Sequence, residues 1–416
     1  MASESSSLQG KHVLLEELTA PLEESDTPPH TQPLSQTEKI RPEGARSTQV
    51  NILSTPLPEV APESISLLTY NISLGPWCAT RGGEGRWKGK RLEEWIRQGE
   101  MGRQDIVCLQ GVFSQGSKRQ RKLIDAAREQ GLPYAMFMPR QSPLQGRVDG
   151  GLIILSRYPI LTSSVYIYNR GQHRDKWVGK GAMYVRLALS SRQRLHIFNT
   201  HNQGSPRLPC PMGDPAKAER VRQWRRLRRF MDVCLGDVDE QEPIVLTGQL
   251  NADAREEAAG QEYARMLQIL SEGSDPRSLD EVTLLSRSDN PPRPNESWAV
   301  RDLALQVLGT HPILFGPVDG SGRAVRNPLV PSVYERSCAC PSYTLSISRP
   351  VHEGEAHVME EREVHLERVQ AQVRPFPVTG QPFPYISGKR TWMVTLWLYA
   401  IKKYTGIFTK NTSTLF

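Results

Sequence analysis

Cysteine is scarce in this 416-residue chain. The six present are Cys78, Cys108, Cys210, Cys234, Cys338 and Cys340, and Cys108 and Cys234 sit inside apolar segments as small hydrophobes do. That excludes a disulfide framework as the organising device and points to reduced thiols. Cys338-Ala-Cys340 is the one close pair, and without a second pair at ligand spacing it argues against a zinc site. Long apolar runs are also lacking. The stretch 391-TWMVTLWLYAI-401 falls well short of the roughly 20 residues that a membrane-spanning helix needs. The start, MASESSSLQGKHVLLEELTA, has no basic segment followed by an apolar one. A secretory leader is therefore not indicated, and a soluble, cytoplasmic protein is expected, at most peripheral to membranes. There is no excess of acid, since the net charge is +7. A moderately basic balance suits an anionic partner, nucleic acid or phospholipid, without choosing between them.

What is present reads as α/β. Residues 1–63 are rich in Ser, Pro, Glu and Thr with no sustained period, so a disordered extension is expected there. From Ser64 the texture changes. Apolar and β-branched runs at 64–71, 105–110, 150–157, 181–189, 194–201 and 243–247 read as strands, the last of them stopping at Gly248. Amphipathic stretches at 91–101, 117–131, 215–236 and around Tyr263, Met266, Leu267 and Leu270 read as helices, with Ser117 expected as an N-cap. Residues 274–332 read as loops, and 352–373 fits either a helix or a charged strand. An alternating strand at Val394, Leu396 and Leu398 closes a domain expected to span 64–400, with 401–416 as a short tail.

The helix at 215–236 carries Arg222, Arg225, Arg226 and Arg229 on its polar face. A nucleic-acid site there is weaker than a solvated helix surface, because no aromatic residues interleave with the arginines to stack bases. More telling is what ends the strands: Asn71, Gln110 with Gly111, His201 with Asn202, Gln249 with Asn251, and Ser387-Gly388-Lys389. Singly, each is an ordinary turn former or partly buried polar residue. Their recurrence after successive apolar strands suggests that the ends converge on one edge of the core.

The ordered set LLTYNI, DIVCLQGVF, DGGLIILSRYPI, KGAMYVRL, HIFNTHNQ, VLTGQLNADARE, YERSCACPSYTL and FPYISGKRTW resembles the endonuclease/exonuclease/phosphatase superfamily and, within it, the neutral sphingomyelinases. Each motif is weak alone; the order is specific. The resemblance implies a deoxyribonuclease-I-like α/β fold, a two-sheet sandwich flanked by helices, and phosphodiester hydrolysis with a divalent metal, usually magnesium. Position by position it assigns Asn71, His201 and Asn251 to retained functional residues. It also places Gly111 where the family has a metal-ligating glutamate, Gln249 where it has an aspartate, and Gly388-Lys389 where it has Asp-His. Cys338 falls near the place of an Asp-Tyr pair. Magnesium is a hard ion held by carboxylate oxygens, and losing one general base or electrostatic partner lowers a rate by about 10² to 10⁴. The implied protein is therefore sphingomyelinase-like but catalytically impaired. Its cleft would hold an anionic phospholipid headgroup or a protein partner through Asn71, His201 and Asn251, with Lys389 in place of the metal's charge. The competing expectation is an active magnesium-dependent sphingomyelin phosphodiesterase using replacement carboxylates such as Asp253, Asp149 or Glu84.

Overall fold

Two six-stranded sheets carry the chain. The structure, a computed structural model, describes residues 57–75, 85–141, 146–208, 210–236, 242–255, 260–273, 297–316, 328–330, 337–348, 362–374, 376–387 and 391–402. The first sheet holds β1 (Ser64–Asn71), β2 (Ile106–Gln110), β3 (Tyr134–Phe137), β4 (Ile153–Ser156), β11 (Arg362–Arg374) and β12 (Thr391–Lys402), in the order β11-β12-β1-β2-β4-β3. The second runs β5-β6-β7-β8-β10-β9, from β5 (Ile160–Ile167), β6 (Gly181–Ala188), β7 (Arg194–His201), β8 (Ile244–Gln249), β9 (Ala299–Asp302) and β10 (Ser342–Ser348). Both sheets are mixed: β1 with β2 and β7 with β8 are parallel, the other pairings antiparallel. The helices α1 (Lys88–Gln98), α2 (Arg119–Glu129), α3 (Pro215–Leu235), α4 (Gly260–Ser271) and α5 (Leu303–Leu308), with a short 3₁₀ turn at His173–Trp177, complete the described elements. None is long and apolar enough to cross a membrane among the described residues.

Strand periodicity explains the layering. On β1 and β2, Ile65, Leu67, Ile106 and Cys108 enter the core shared with the second sheet, whereas Leu68, Tyr70, Val107 and Leu109 join Leu92 and Trp95 of α1 and Leu123 and Ala127 of α2. Because successive side chains alternate between faces, Asn71 and Gln110 must point into the space between the sheets. The same parity on β7 and β8 sends Asn199, His201, Thr247 and Gln249 one way. α3 covers the second sheet with Trp224, Leu227, Phe230 and Met231. Its start is fixed by Asp214, whose carboxylate accepts from the Ala216 amide at 2.8 Å, and by Pro215.

Several expectations need correction. β8 does not stop at Gly248 but runs through Gln249. A Cβ at 248 would lie 2.2 Å from the Thr200 carbonyl, so glycine lets the strand continue where two backbones come close. The N-cap of α2 is Lys118, with no side-chain cap, and not Ser117. The 274–332 region includes β9 and α5, and 362–374 is a strand, its ladder with β12 deciding between the two readings. Arg229 is buried on α3 and leaves the expected solvated face; Arg220 and Arg228 of the same helix are buried too and pair with Glu262 and Asp232. Residues 57–63 were expected within the extension, yet Pro58 accepts from the Ser191 amide at 2.8 Å and Ala61 packs on the core. β12 ends at Lys402, two residues beyond 400. Residues 1–56, Cys78, Glu84, Gly388, Lys389 and 403–416 lie outside the described residues.

Candidate functional site

The carboxyl ends of the two parallel pairs meet. Asn71 is level with Gln110 on one sheet and His201 with Gln249 on the other. Across the gap, Asn71 Nδ2 donates to Gln249 Oε1 at 2.5 Å, joining residues 178 positions apart. Gln249 Nε2 then donates to Asn251 Oδ1 at 2.7 Å, and Asn251 Nδ2 donates to the Asn202 carbonyl at 2.6 Å. Deeper in, Gln110 Nε2 donates to Asn199 Oδ1 at 2.9 Å, and Asn199 Nδ2 donates to the carbonyls of Leu109 and Ile153. The expected convergence of Asn71, Gln249 and Asn251 is therefore physical contact, with half-buried His201 beside them on β7.

Both ends of this amide chain are fixed by backbone. Asn71 Oδ1 accepts from the Ser73 amide at 3.0 Å, which leaves only its NH₂ for Gln249. At the other end the Asn202 carbonyl is an acceptor, so Asn251 must turn its NH₂ there and its oxygen toward Gln249. Residue 249 must accept on one side and donate on the other. A neutral amide does both; a carboxylate has no proton to donate. Glutamine at 249 thus satisfies both neighbours, as an ionised carboxylate in this arrangement would not.

Gly111 is equally committed. Its φ is +78°, a left-handed conformation, and an added Cβ would stand 2.7 Å from Asn71 Oδ1 and 2.9 Å from the Ser73 nitrogen. The turn lets the Gly111 carbonyl accept from Leu74 at 2.8 Å. A glutamate at 111 would be strained in its backbone before its carboxylate reached anything.

The supporting shell is well tied. Arg91 of α1, fully buried, donates to the carbonyls of Ile72 (3.1 Å), Ser73 (2.8 Å) and Ile386 (2.8 Å), and Ser387 Oγ donates to the Asn71 carbonyl at 3.0 Å. α3 holds the other two strand ends: Gln223 Oε1 accepts from the Gln203 amide at 2.7 Å, and Trp224 Nε1 donates to the Leu250 carbonyl at 3.2 Å. Asn251 sits at φ +62° with its amide on the Pro341 carbonyl. Lys180, the first residue of KGAMYVRL and not among the expected site residues, brings a cation: its Nζ donates to the Asn202 carbonyl at 2.8 Å and pairs with Asp175 at 2.8 Å. Lys180, Asn199 and Ser73 were missed because none ends a strand and only parity or tertiary contact brings them in.

Of the replacement carboxylates, Asp149 and Asp253 are engaged elsewhere, and Glu84 lies outside the described residues. Asp149 accepts from the Ser114 amide and hydroxyl, the Gln115 amide and the Gly151 amide. Burial pushes its carboxyl up, against the pull of those hydrogen bonds. Asp253 accepts from the Cys340 and Arg255 amides, fastening the loop after β8 to the start of β10, and burial raises it too. Cys338 is half-buried and Cys340 buried, both as free thiols. Among the described residues no group of three or more His, Cys, Asp or Glu could hold a metal. Neutral amides and backbone carbonyls are a poor match for magnesium. Among the described residues, the set can offer hydrogen bonds to a phosphate, and its one side chain able to take a proton near neutral pH is His201, with no carboxylate in contact with the amides.

The endonuclease/exonuclease/phosphatase family profile matches residues 68–305. A sphingomyelinase of Dictyostelium discoideum is 26% identical over 324 residues, 68% of this chain and 69% of that protein. Sphingomyelinase C of Listeria ivanovii is 24% identical over 240 residues, 53% of this chain and 65% of its own length. Among solved structures, a Staphylococcus aureus beta toxin variant with bound magnesium ions superposes with a TM-score of 0.50 at 16% identity, covering 81% of this chain and all of that one. That likeness establishes the two-sheet fold.

Proposed function

Since this chain belongs to the endonuclease/exonuclease/phosphatase family, we propose that it is a sphingomyelinase-like member that binds a phospholipid headgroup in the strand-end cleft without hydrolysing it. One observation carries this reading. Gln249 accepts from Asn71 and donates to Asn251, so the place where the family resemblance calls for an aspartate is filled by a neutral group that satisfies both neighbours. Asn71, Asn251 and His201 supply polar contacts, and Lys180 fixes a positive charge one carbonyl away from Asn251. The family's sphingomyelinase relatives suggest phosphocholine as the headgroup to try first.

The test pairs two measurements on the full chain. Calorimetric titration with phosphocholine is expected to give binding that is the same with magnesium or with a chelator. Sphingomyelin vesicles incubated with magnesium are expected to release no phosphocholine above the uncatalysed rate. Magnesium-dependent turnover would establish an active phosphodiesterase instead, and absence of any phosphocholine binding would remove the headgroup from the proposal.

A further inference from the structure

Beside the cleft, two loops present large apolar side chains to solvent. Trp177, at the end of a short 3₁₀ turn over His173–Trp177, is 44% exposed, and Met212, in the loop before α3, is 98% exposed. His173 Nε2 and Asp214 Oδ1 lie 2.9 Å apart in a hydrogen bond that ties the two loops together. The same rim is basic. Arg170, Arg174 and Lys176 are exposed, Lys176 Nζ lies 5.1 Å from the Trp177 ring centre, and Arg147 reaches the Tyr168 carbonyl. Burial, and after it the charge of Arg170, pushes the Arg147 guanidinium below its ordinary value. The rim's acids face inward: Asp175 pairs with Lys180, and Asp214 caps α3 while holding His173.

We propose that the rim formed by residues 170–177 and 211–214 docks this protein onto an anionic lipid bilayer, with Trp177 and Met212 entering the interface and Arg174 and Lys176 lying against the headgroups. An exposed tryptophan flanked by cations has an apolar body and a polar edge that fit the level of the headgroups. Basic residues near an anionic surface add their attraction roughly independently. A folded rim lying next to the cleft would bring the cleft to the membrane, whether or not the cleft hydrolyses what it meets. The proposal thus goes beyond the headgroup reading and does not depend on it.

Co-sedimentation with phosphatidylcholine vesicles containing phosphatidylserine, against pure phosphatidylcholine vesicles, tests this. The parent is expected to prefer the anionic vesicles, to lose that preference in high salt, and to keep binding in excess soluble phosphocholine, which would displace only a cleft-mediated contact. Arg174→Gln with Lys176→Gln is expected to weaken binding by about 30-fold, roughly five-fold for each charge. Trp177→Ser with Met212→Ser is expected to weaken it by about ten-fold. All four positions are exposed, and unchanged thermal midpoints would show that the variants fold. Equal binding of parent and both double variants would overturn the proposal. So would a result in which the charge variant loses binding to a single-stranded oligonucleotide but not to vesicles.

Discussion

The strands β7 and β8 carry a buried polar cluster at each end, and the two clusters are built on opposite principles. At the amino ends, His196 is fully buried, with Nδ1 against the Tyr184 hydroxyl at 2.8 Å and Nε2 against Glu242 at 2.5 Å, while Arg186 forks onto the same carboxylate. Burial alone would raise Glu242, but the hydrogen bonds from His196 and Arg186 outweigh it and hold the carboxyl below its ordinary value. At the carboxyl ends, where the family resemblance leads one to expect charge, Asn71, Gln249, Asn251 and Asn202 form a neutral relay. The second sheet therefore holds an ionised cluster on the face that packs on α3, where His196, Tyr184 and Phe198 lie with Phe230. On the opposite face, toward the first sheet, the side chains in contact across the gap are neutral amides, and the nearest charge among the described residues is the Lys180–Asp175 pair one carbonyl away.

The comparison can be broken most forcefully at the charged end. Glu242→Ala leaves Arg186 and His196 without their carboxylate and is expected to destabilise by about 4 kcal/mol, read from denaturant midpoints. Because the folded-state pKa of Glu242 is depressed, the stability it contributes is present above the unfolded carboxylate pKa and is lost as pH falls through the folded one. The gap between parent and variant is expected to close at acid pH. A gap that stayed constant down to that range would mean that the loss comes from packing alone.

At the neutral end the pH dependence is expected to reverse. Gln249→Glu keeps the shape but sets two acceptors against each other at Asn251, with an expected loss of about 3 kcal/mol at neutral pH. Protonation restores the missing donor, so the folded pKa of this glutamate is raised. Its stability deficit is expected to shrink as pH falls and to grow again as pH rises through that value. A Gln249→Glu variant as stable as the parent at neutral pH would mean that the relay can reverse its amides. Gly111→Ala meets both a left-handed backbone and Asn71 Oδ1, and about 2 kcal/mol is expected in the same assay. The smallest expected effect is that of magnesium on the parent. With its dissociation constant at or above the millimolar concentration used, the ion would stabilise by no more than about 0.4 kcal/mol, and a clear rise in the thermal midpoint would call for a set of ligands different from the amides seen here.

Much of this was legible in the sequence, for identifiable reasons. β1 and β7 were read with the boundaries found in the structure because each is a run of buried residues closed by a polar one, Asn71 or His201. The positions of Gln249 and Asn251 at a strand end followed from the same signal. The direction of their hydrogen bonds did not, because it is set by the Ser73 amide and the Asn202 carbonyl, which no local pattern places there. β5 escaped notice because Thr162, Ser163 and Ser164 interrupt its apolar period. β9, four residues at a sheet edge, is too short to show one. Arg229 illustrates the opposite error: a charged residue among arginines looks solvated, and only the folded chain shows it buried.

The place of β1 in its sheet also governs how the protein can be made. β1 lies between β2, which follows it closely in the chain, and β12, to which it pairs from Ser64↔Trp397 to Thr69↔Trp392. A nascent chain can join β1 to β2 early, but one edge of β1 stays open until Thr391–Lys402 has left the ribosome. An open edge of an apolar strand is a template for pairing with another chain. The free edge of β1 is therefore closed by a segment synthesised long after it, a long-range step of the kind that slows folding, and truncation before β12 would leave β1 as a standing invitation to aggregate.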